Sequence, residues 1–291
     1  MNIYSMKDIL FISTYINNAH FIGMLDKSLK KHLKCSYDLL VLNDAPKTQE
    51  ENYLQMSSII TNNPYPFAEI EEETERFGCL YIPIPQNIHI QNRPNHSSYR
   101  HCEILNWFFQ NLELLFPSYT DYKYICIIDS DVALVKDVDI MSVLEGYDMA
   151  APLIYLSEKE FYPHVGLFFI NLHTVINFKT MNFSITKTDT GSGLLNFIAQ
   201  NPSYKIKEIG RFDGFIGPNG LCKGDFHKGH VCDRWLDDCF FHFRSGSNFG
   251  VSAKKHKTME GVKEYLDKLR FFDVQIEYDY WLEKAKLYST R

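Results

Sequence analysis

The sequence predicts a mixed α/β fold with a mainly parallel central sheet flanked by helices. Three observations lead there. The run Tyr124-Ile-Cys-Ile-Ile128 is continuously apolar, the pattern of a strand covered on both faces rather than the alternation of a half-exposed one. Two further apolar runs, Ile9-Leu-Phe-Ile-Ser13 and Leu39-Leu-Val-Leu42, enclose residues 21–34, where Leu25, Leu29 and Leu33 recur at helical spacing. Finally, the 124–128 run stops at Asp129-Ser130-Asp131, which sets two carboxylates at the carboxyl end of a central strand. Open α/β sheets bind their ligands there.

Two aspartates one residue apart at a buried strand end cost desolvation and mutual repulsion. A divalent cation relieves both. Hard oxygen ligands suit Mg2+ or Mn2+, ions that keep open positions for substrate phosphates. A solvated turn capping the strand is the plain alternative for these residues. In this context the segment resembles the Asp-x-Asp motif of nucleotide-sugar glycosyltransferases with the GT-A fold. The resemblance implies that Asp131 ligates the metal, that Asp129 contacts the metal shell or the donor ribose, and that Ser130 belongs to the donor site.

The first strand leads into the polar loop Thr14-Tyr-Ile-Asn-Asn18, and the second ends at Asn43-Asp44-Ala-Pro46, a turn sequence. By the same resemblance, Thr14 and Tyr15 flank the base and Asp44 accepts from the uracil or ribose. A turn-forming role for Asp44 is equally available. Residues 47–78 read as a helix and surface loop without chemistry. Cys79-Leu-Tyr-Ile-Pro-Ile84 supplies a third strand, and Pro83 argues against an interior position for it.

Ser97 or Ser98 can cap the next helix, whose apolar face carries Ile104, Leu105, Phe108, Leu112 and Leu115. In related glycosyltransferases a basic residue of this helix reaches the diphosphate or ribose. Arg100 holds the comparable place, with His101 the second choice. Met149 to Ile154 reads as a strand beside the site, and His164-Val-Gly-Leu-Phe-Phe-Ile-Asn171 as another. Gly166, inside that run, resembles the residue that makes room for the donor sugar. His164 reads as a donor or acceptor contact or a packed histidine.

Asp189-Thr-Gly-Ser-Gly193 precedes a helix over 194–200. Its aspartate is either a cap or, by resemblance to inverting GT-A enzymes, the general base for the acceptor hydroxyl. Glu158, Glu160 and Asp213 are the alternatives. The glycine-rich stretch 210–229 is expected to lack regular structure and to form a lid. Its Cys222, His227, His230 and Cys232 match no zinc spacing. Further on, His242, between Phe241 and Phe243, resembles the late histidine that completes the metal shell. Arg244, two residues on, can neutralise diphosphate charge. From Thr258 the chain reads as helical.

The expected organisation is one catalytic domain over 1–250 with a helical extension over 251–291 packed on it. The chain has 291 residues, 45% hydrophobic, enough for a sizeable core. A net charge of -6 and a pI near 6.0 argue against a nucleic-acid binder relying on net charge. Seven cysteines, one of them in the central strand, argue against a disulfide framework and fit a reducing cytoplasm. No apolar run is long enough to span a membrane. That combination resembles bacterial or large-virus transferases more than Golgi enzymes.

The function implied is a Mn2+- or Mg2+-dependent transfer of a sugar from a nucleotide-sugar, UDP first and GDP second, to a glycan, lipid or protein hydroxyl, with inversion. A retaining enzyme of the same fold would need no base. A sugar-phosphate nucleotidyltransferase would carry a glycine-rich loop after the first strand, where Ser13 to Asn18 has none. A non-catalytic carbohydrate-binding module would leave Asp129, Asp131 and His242 without a role.

Overall fold

A computed structural model describes residues 6–51, 63–89, 97–187, 189–212, 215–216, 222–223 and 232–243. The chain begins with β1 (Lys7–Tyr15), α1 (His20–His32), β2 (Tyr37–Asn43), α2 (Phe67–Phe77) and β3 (Leu80–Pro83). After α3 (Ser97–Gln110) and the short α4 (Leu112–Leu115), β4 (Tyr122–Ile128) returns to the centre of the sheet. These strands give the order β3-β2-β1-β4, all parallel. The edge position of β3 agrees with its terminal Pro83, which has no N–H to offer a further neighbour.

The second half changes direction. β5 (Val132–Leu134) and α5 (Ile140–Leu144) precede β6 (Met149–Tyr155), β7 (Phe161–Pro163), β8 (Leu167–Asn171), α6 (Leu194–Gln200) and β9 (Ile206–Phe212). β8 pairs antiparallel with β4 on one side and with β6 on the other, and β9 runs parallel to β6. The large sheet thus reads β3-β2-β1-β4-β8-β6-β7 with β9 on β6: mixed and mainly parallel, as expected. Among the described residues β10 (Phe215–Ile216) pairs with β11 (Cys222–Lys223), and β12 (Cys232–Trp235) with β13 (Phe240–Phe243). β13 also pairs with β5, making a small second sheet.

Side-chain alternation sorts the core onto two faces. Ile9 and Phe11 of β1, with Tyr124, Cys126 and Ile128 of β4, pack under Phe21, Ile22, Leu25 and Leu29 of α1 and under the small sheet. Leu10, Ile12, Ile125 and Ile127 face Ile104, Leu105, Phe108 and Phe109 of α3 and Leu194 and Phe197 of α6. Double coverage explains the unbroken apolar run of β4.

Two expectations need correction. Residues 210–229 are not uniformly irregular, since Gly210 lies inside β9 and β10 and β11 form a ladder. Gly166 stands just before β8 rather than inside a strand. The 251–291 extension, Arg244, Asp213 and the His227 and His230 positions fall outside the described residues. Cys35, Cys79, Cys102, Cys126 and Cys239 are free thiols. Among the described residues no helix is long and apolar enough to cross a membrane.

Candidate metal centre

The ladder of β4 with β8 runs to Ile128 opposite Leu167, and the Asp129 N–H extends it by donating to the Gly166 carbonyl at 3.0 Å. The chain then turns sharply. Val132 N–H donates to the Asp129 carbonyl at 3.1 Å, and β5 leaves in a new direction to pair with β13. Because Val132 sits opposite His242 in that pairing, the small sheet delivers His242 to the Asp129-Ser130-Asp131 turn. Its Nε2 lies 3.4 Å from Asp131 Oδ1 and 3.6 Å from Asp129 Oδ2.

Asp129, Asp131 and His242 form the group of potential ligands whose donor atoms lie within 4.8 Å of one another. The separations exceed good hydrogen bonds and approach those between adjacent ligands on one small cation, about 3 Å for metal–oxygen bonds of about 2.1 Å. Two carboxylates and an imidazole are a donor set that suits Mn2+ or Mg2+. Asp131 and His242 are buried, whereas the Asp129 side chain is 26% exposed, so the centre opens on the Asp129 side. Ser130 between them is buried.

Two more histidines border this centre. His101 of α3 places Nδ1 at 3.9 Å from Asp129 Oδ1. His164, in the connection between β7 and β8, accepts the Gly166 N–H on Nδ1 at 3.1 Å, which leaves the ring proton on Nε2. Gly166 is required by this crowding. A Cβ there would lie 2.5 Å from His164 Cε1 and 2.6 Å from Asp129 Oδ2.

Arg100 and Asp44 are brought together. Arg100 Nε donates to Asp44 Oδ2 at 2.6 Å, and its terminal nitrogen donates to the Asp44 carbonyl at 2.9 Å and to Gln86 Oε1 at 2.7 Å. His89 bridges Asp44 Oδ1 and Glu103 Oε2 at 2.7 and 2.9 Å. Asp44, Arg100 and His89 are all buried. This network ties the end of β2 to α3, and α3 in turn carries His101.

Thr14 is half-buried opposite Leu42, while Tyr15 is buried on the α1 side of the sheet. Burial holds the Tyr15 phenol protonated, its pKa pushed far up, with Cys79, Asp131 and Asp26 adding to the shift. The buried Ser13 hydroxyl lies against the Tyr15 hydroxyl, and the buried Asn17 amide has no hydrogen-bond partner among the described residues.

Asp189 lies in the turn before α6, where its Oδ1 accepts the Thr190 N–H at 2.7 Å. It does not cap the helix, which starts from Gly193. The turn is anchored toward the centre from two sides. Thr190 Oγ1 donates to the Ser98 carbonyl at the start of α3 at 3.0 Å, and Gly191 leaves no room for a Cβ beside Val165, 2.6 Å away. Glu158 and Glu160 occupy an exposed hairpin tip between β6 and β7.

The contribution of β5 is not stated by any motif in the sequence. A signal for it existed in Val132-Ala-Leu134, an apolar run directly after the acidic pair.

The sequence matches no protein-family model and no curated protein. Solved structures with a similar fold include glucosyl-3-phosphoglycerate synthase from Mycobacterium tuberculosis in complex with Mn2+ and UDP-glucose, with a TM-score of 0.39 and 12% identity over 69% of this chain and 68% of that one. Another is the mannosyltransferase PcManGT from Pyrobaculum calidifontis in complex with GDP-Man and Mn2+, with a TM-score of 0.40 and 8% identity over 98% of this chain and 74% of that one. Both likenesses are distant, and the site stands on its own geometry.

Proposed function

We propose that the chain is a metal-dependent glycosyltransferase of the GT-A type that moves a sugar from a nucleotide-sugar, UDP-linked in the first instance, to an acceptor hydroxyl with inversion. The observation that carries this reading is the convergence of Asp129, Asp131 and His242 at the carboxyl end of a central parallel strand.

Asp129, Asp131 and His242 would hold Mn2+ or Mg2+, which when bound supplies charge stabilisation for a leaving diphosphate. The chain's own residues do the rest. Asp129, being part exposed, faces the donor side, with Ser130 beside it and His101 on its far flank. The unpartnered amide of Asn17, just after β1, offers polar atoms that a bound nucleotide or water would satisfy. Asp44 and Arg100 serve by fixing α3, and Thr14 lines the same strand end. Asp189 takes the proton of the acceptor hydroxyl. The acceptor oxygen bonds to the anomeric carbon as the bond from that carbon to the phosphate oxygen breaks, and the nucleoside diphosphate departs. Arg244, two residues after His242 in sequence, is assigned to the departing diphosphate. The acceptor is a glycan, lipid or protein.

Calorimetric titration of UDP, GDP and CMP with and without Mn2+, on the wild type and on Asp131→Ala and His242→Ala, tests the reading. One nucleotide should bind only with Mn2+ and lose affinity in both variants. If no nucleotide binds the folded protein under any metal condition, the transferase reading is sunk.

A further inference from the structure

His242 is a ligand candidate on the central strand of the small three-stranded sheet, and something must fix the plane of its imidazole. Its cross-strand partner in β12 is Asp233, so Trp235 is its diagonal neighbour on the same face of the ladder. The two rings stack, with centroids 4.9 Å apart and planes at 28°. His164 closes the group, 5.4 Å from the indole and 5.6 Å from the His242 ring. Its own orientation is pinned by the Gly166 N–H.

The indole is itself held from behind. Trp235 is 2% exposed and lies in a slot over β6 and β9 made by Gly210 and Pro152. A Cβ on Gly210 would come within 2.6 Å of the indole Cδ1. Directly after the indole, the Leu236 N–H donates to the Ile209 carbonyl of β9 at 2.7 Å. This side chain and its neighbouring amide thus tie the small sheet that carries His242 to the large sheet, in addition to the β5–β13 ladder and the edge contact of Phe240 with Phe169.

We propose that Trp235 is a positioning residue for the metal centre: its stack on His242, seated in the Gly210 slot, holds the imidazole so that Nε2 faces Asp129 and Asp131. This rests on the metal reading above. An imidazole free to rotate would present Nε2 to the two carboxylates only part of the time; hydrogen-bonded supports of metal ligands are worth about 10- to 100-fold in affinity, and the lower end of that range sets the scale for this stack.

The test measures Mn2+ affinity without nucleotide, from the electron paramagnetic resonance signal of free Mn2+, in the wild type, Trp235→Leu, Trp235→Phe and Gly210→Ala. Ring-proton shifts of His242, assigned by comparison with His242→Ala, report the stack directly. Circular dichroism checks folding. Trp235→Leu should weaken Mn2+ binding by about tenfold or more and abolish the ring-current shift of His242. Trp235→Phe, which keeps an aromatic face, should restore much of both. Gly210→Ala displaces the indole without altering any ring of the stack, and should weaken binding in the same direction even if Trp235→Leu does not fold. Mn2+ binding that is unchanged while the ring-current shift disappears overturns the positioning role alone. A wild type that takes up no Mn2+ overturns the metal reading and this inference with it, so the two failures are told apart.

Discussion

Arg100 and His101 are adjacent in sequence and differ in what surrounds them. The helical turn directs Arg100 inward, where it meets the buried Asp44 carboxylate, and His101 toward Asp129. By resemblance the arginine matches a basic residue that reaches the diphosphate or ribose of the donor. Its burial against Asp44 gives it a structural load as well. Removing one partner of a buried ion pair leaves the other uncompensated, so Arg100→Ala should lower unfolding free energy by about 3–5 kcal/mol. Urea denaturation decides the matter. Unchanged stability together with lost nucleotide affinity would return Arg100 to the ligand site.

At the scale of elements, the hairpin joining β12 to β13 carries an unusual turn. Leu236, Asp237 and Asp238 have φ of 50°, 52° and 64°, three consecutive non-glycine residues in the left-handed region. Each such residue costs on the order of 1 kcal/mol, and Asp is among the types that tolerate it best. The turn persists because both of its ends are fixed, by the Leu236 amide on β9 and by β13 on β5. Asp237 is exposed and offers its carbonyl, not its side chain, to Lys136. Asp237→Gly should therefore raise stability by up to about 1 kcal/mol, while Asp237→Val should lower it by about 1–2 kcal/mol. Equal melting temperatures for the two variants would mean that the turn stores no strain.

For the whole molecule, acid sensitivity follows from a histidine packed inside it. His20 at the start of α1 is fully buried, and burial alone pushes its pKa down to about 3 from an ordinary 6.5. Between those values the unfolded chain binds a proton at this position and the native chain does not. Stability contributed here is complete above pH 6.5 and falls as pH drops toward 3, at up to about 1.4 kcal/mol per pH unit. His20→Phe, which keeps a buried ring and removes the titration, should flatten that slope in denaturation measured from pH 7 to pH 4. A slope unchanged by the substitution would assign the acid lability elsewhere.

The strands β1, β2 and β4, helices α1 and α3, and the acidic pair at the end of β4 were legible because each is a local pattern: a continuous apolar run, a 3.6-residue period, or charge at a strand end. His242 was legible as a partner of the acidic pair only by resemblance, since 110 residues lie between it and Asp131 and no spacing rule spans such a gap. The antiparallel β8, the β5–β13 pairing that carries His242 to Asp131, the Asp44–Arg100–His89 network and the Trp235 stack were decided by tertiary structure. These depend on which distant strands share a ladder and which side chains meet across it. Local propensity fixes what a segment becomes, and only packing fixes what it faces.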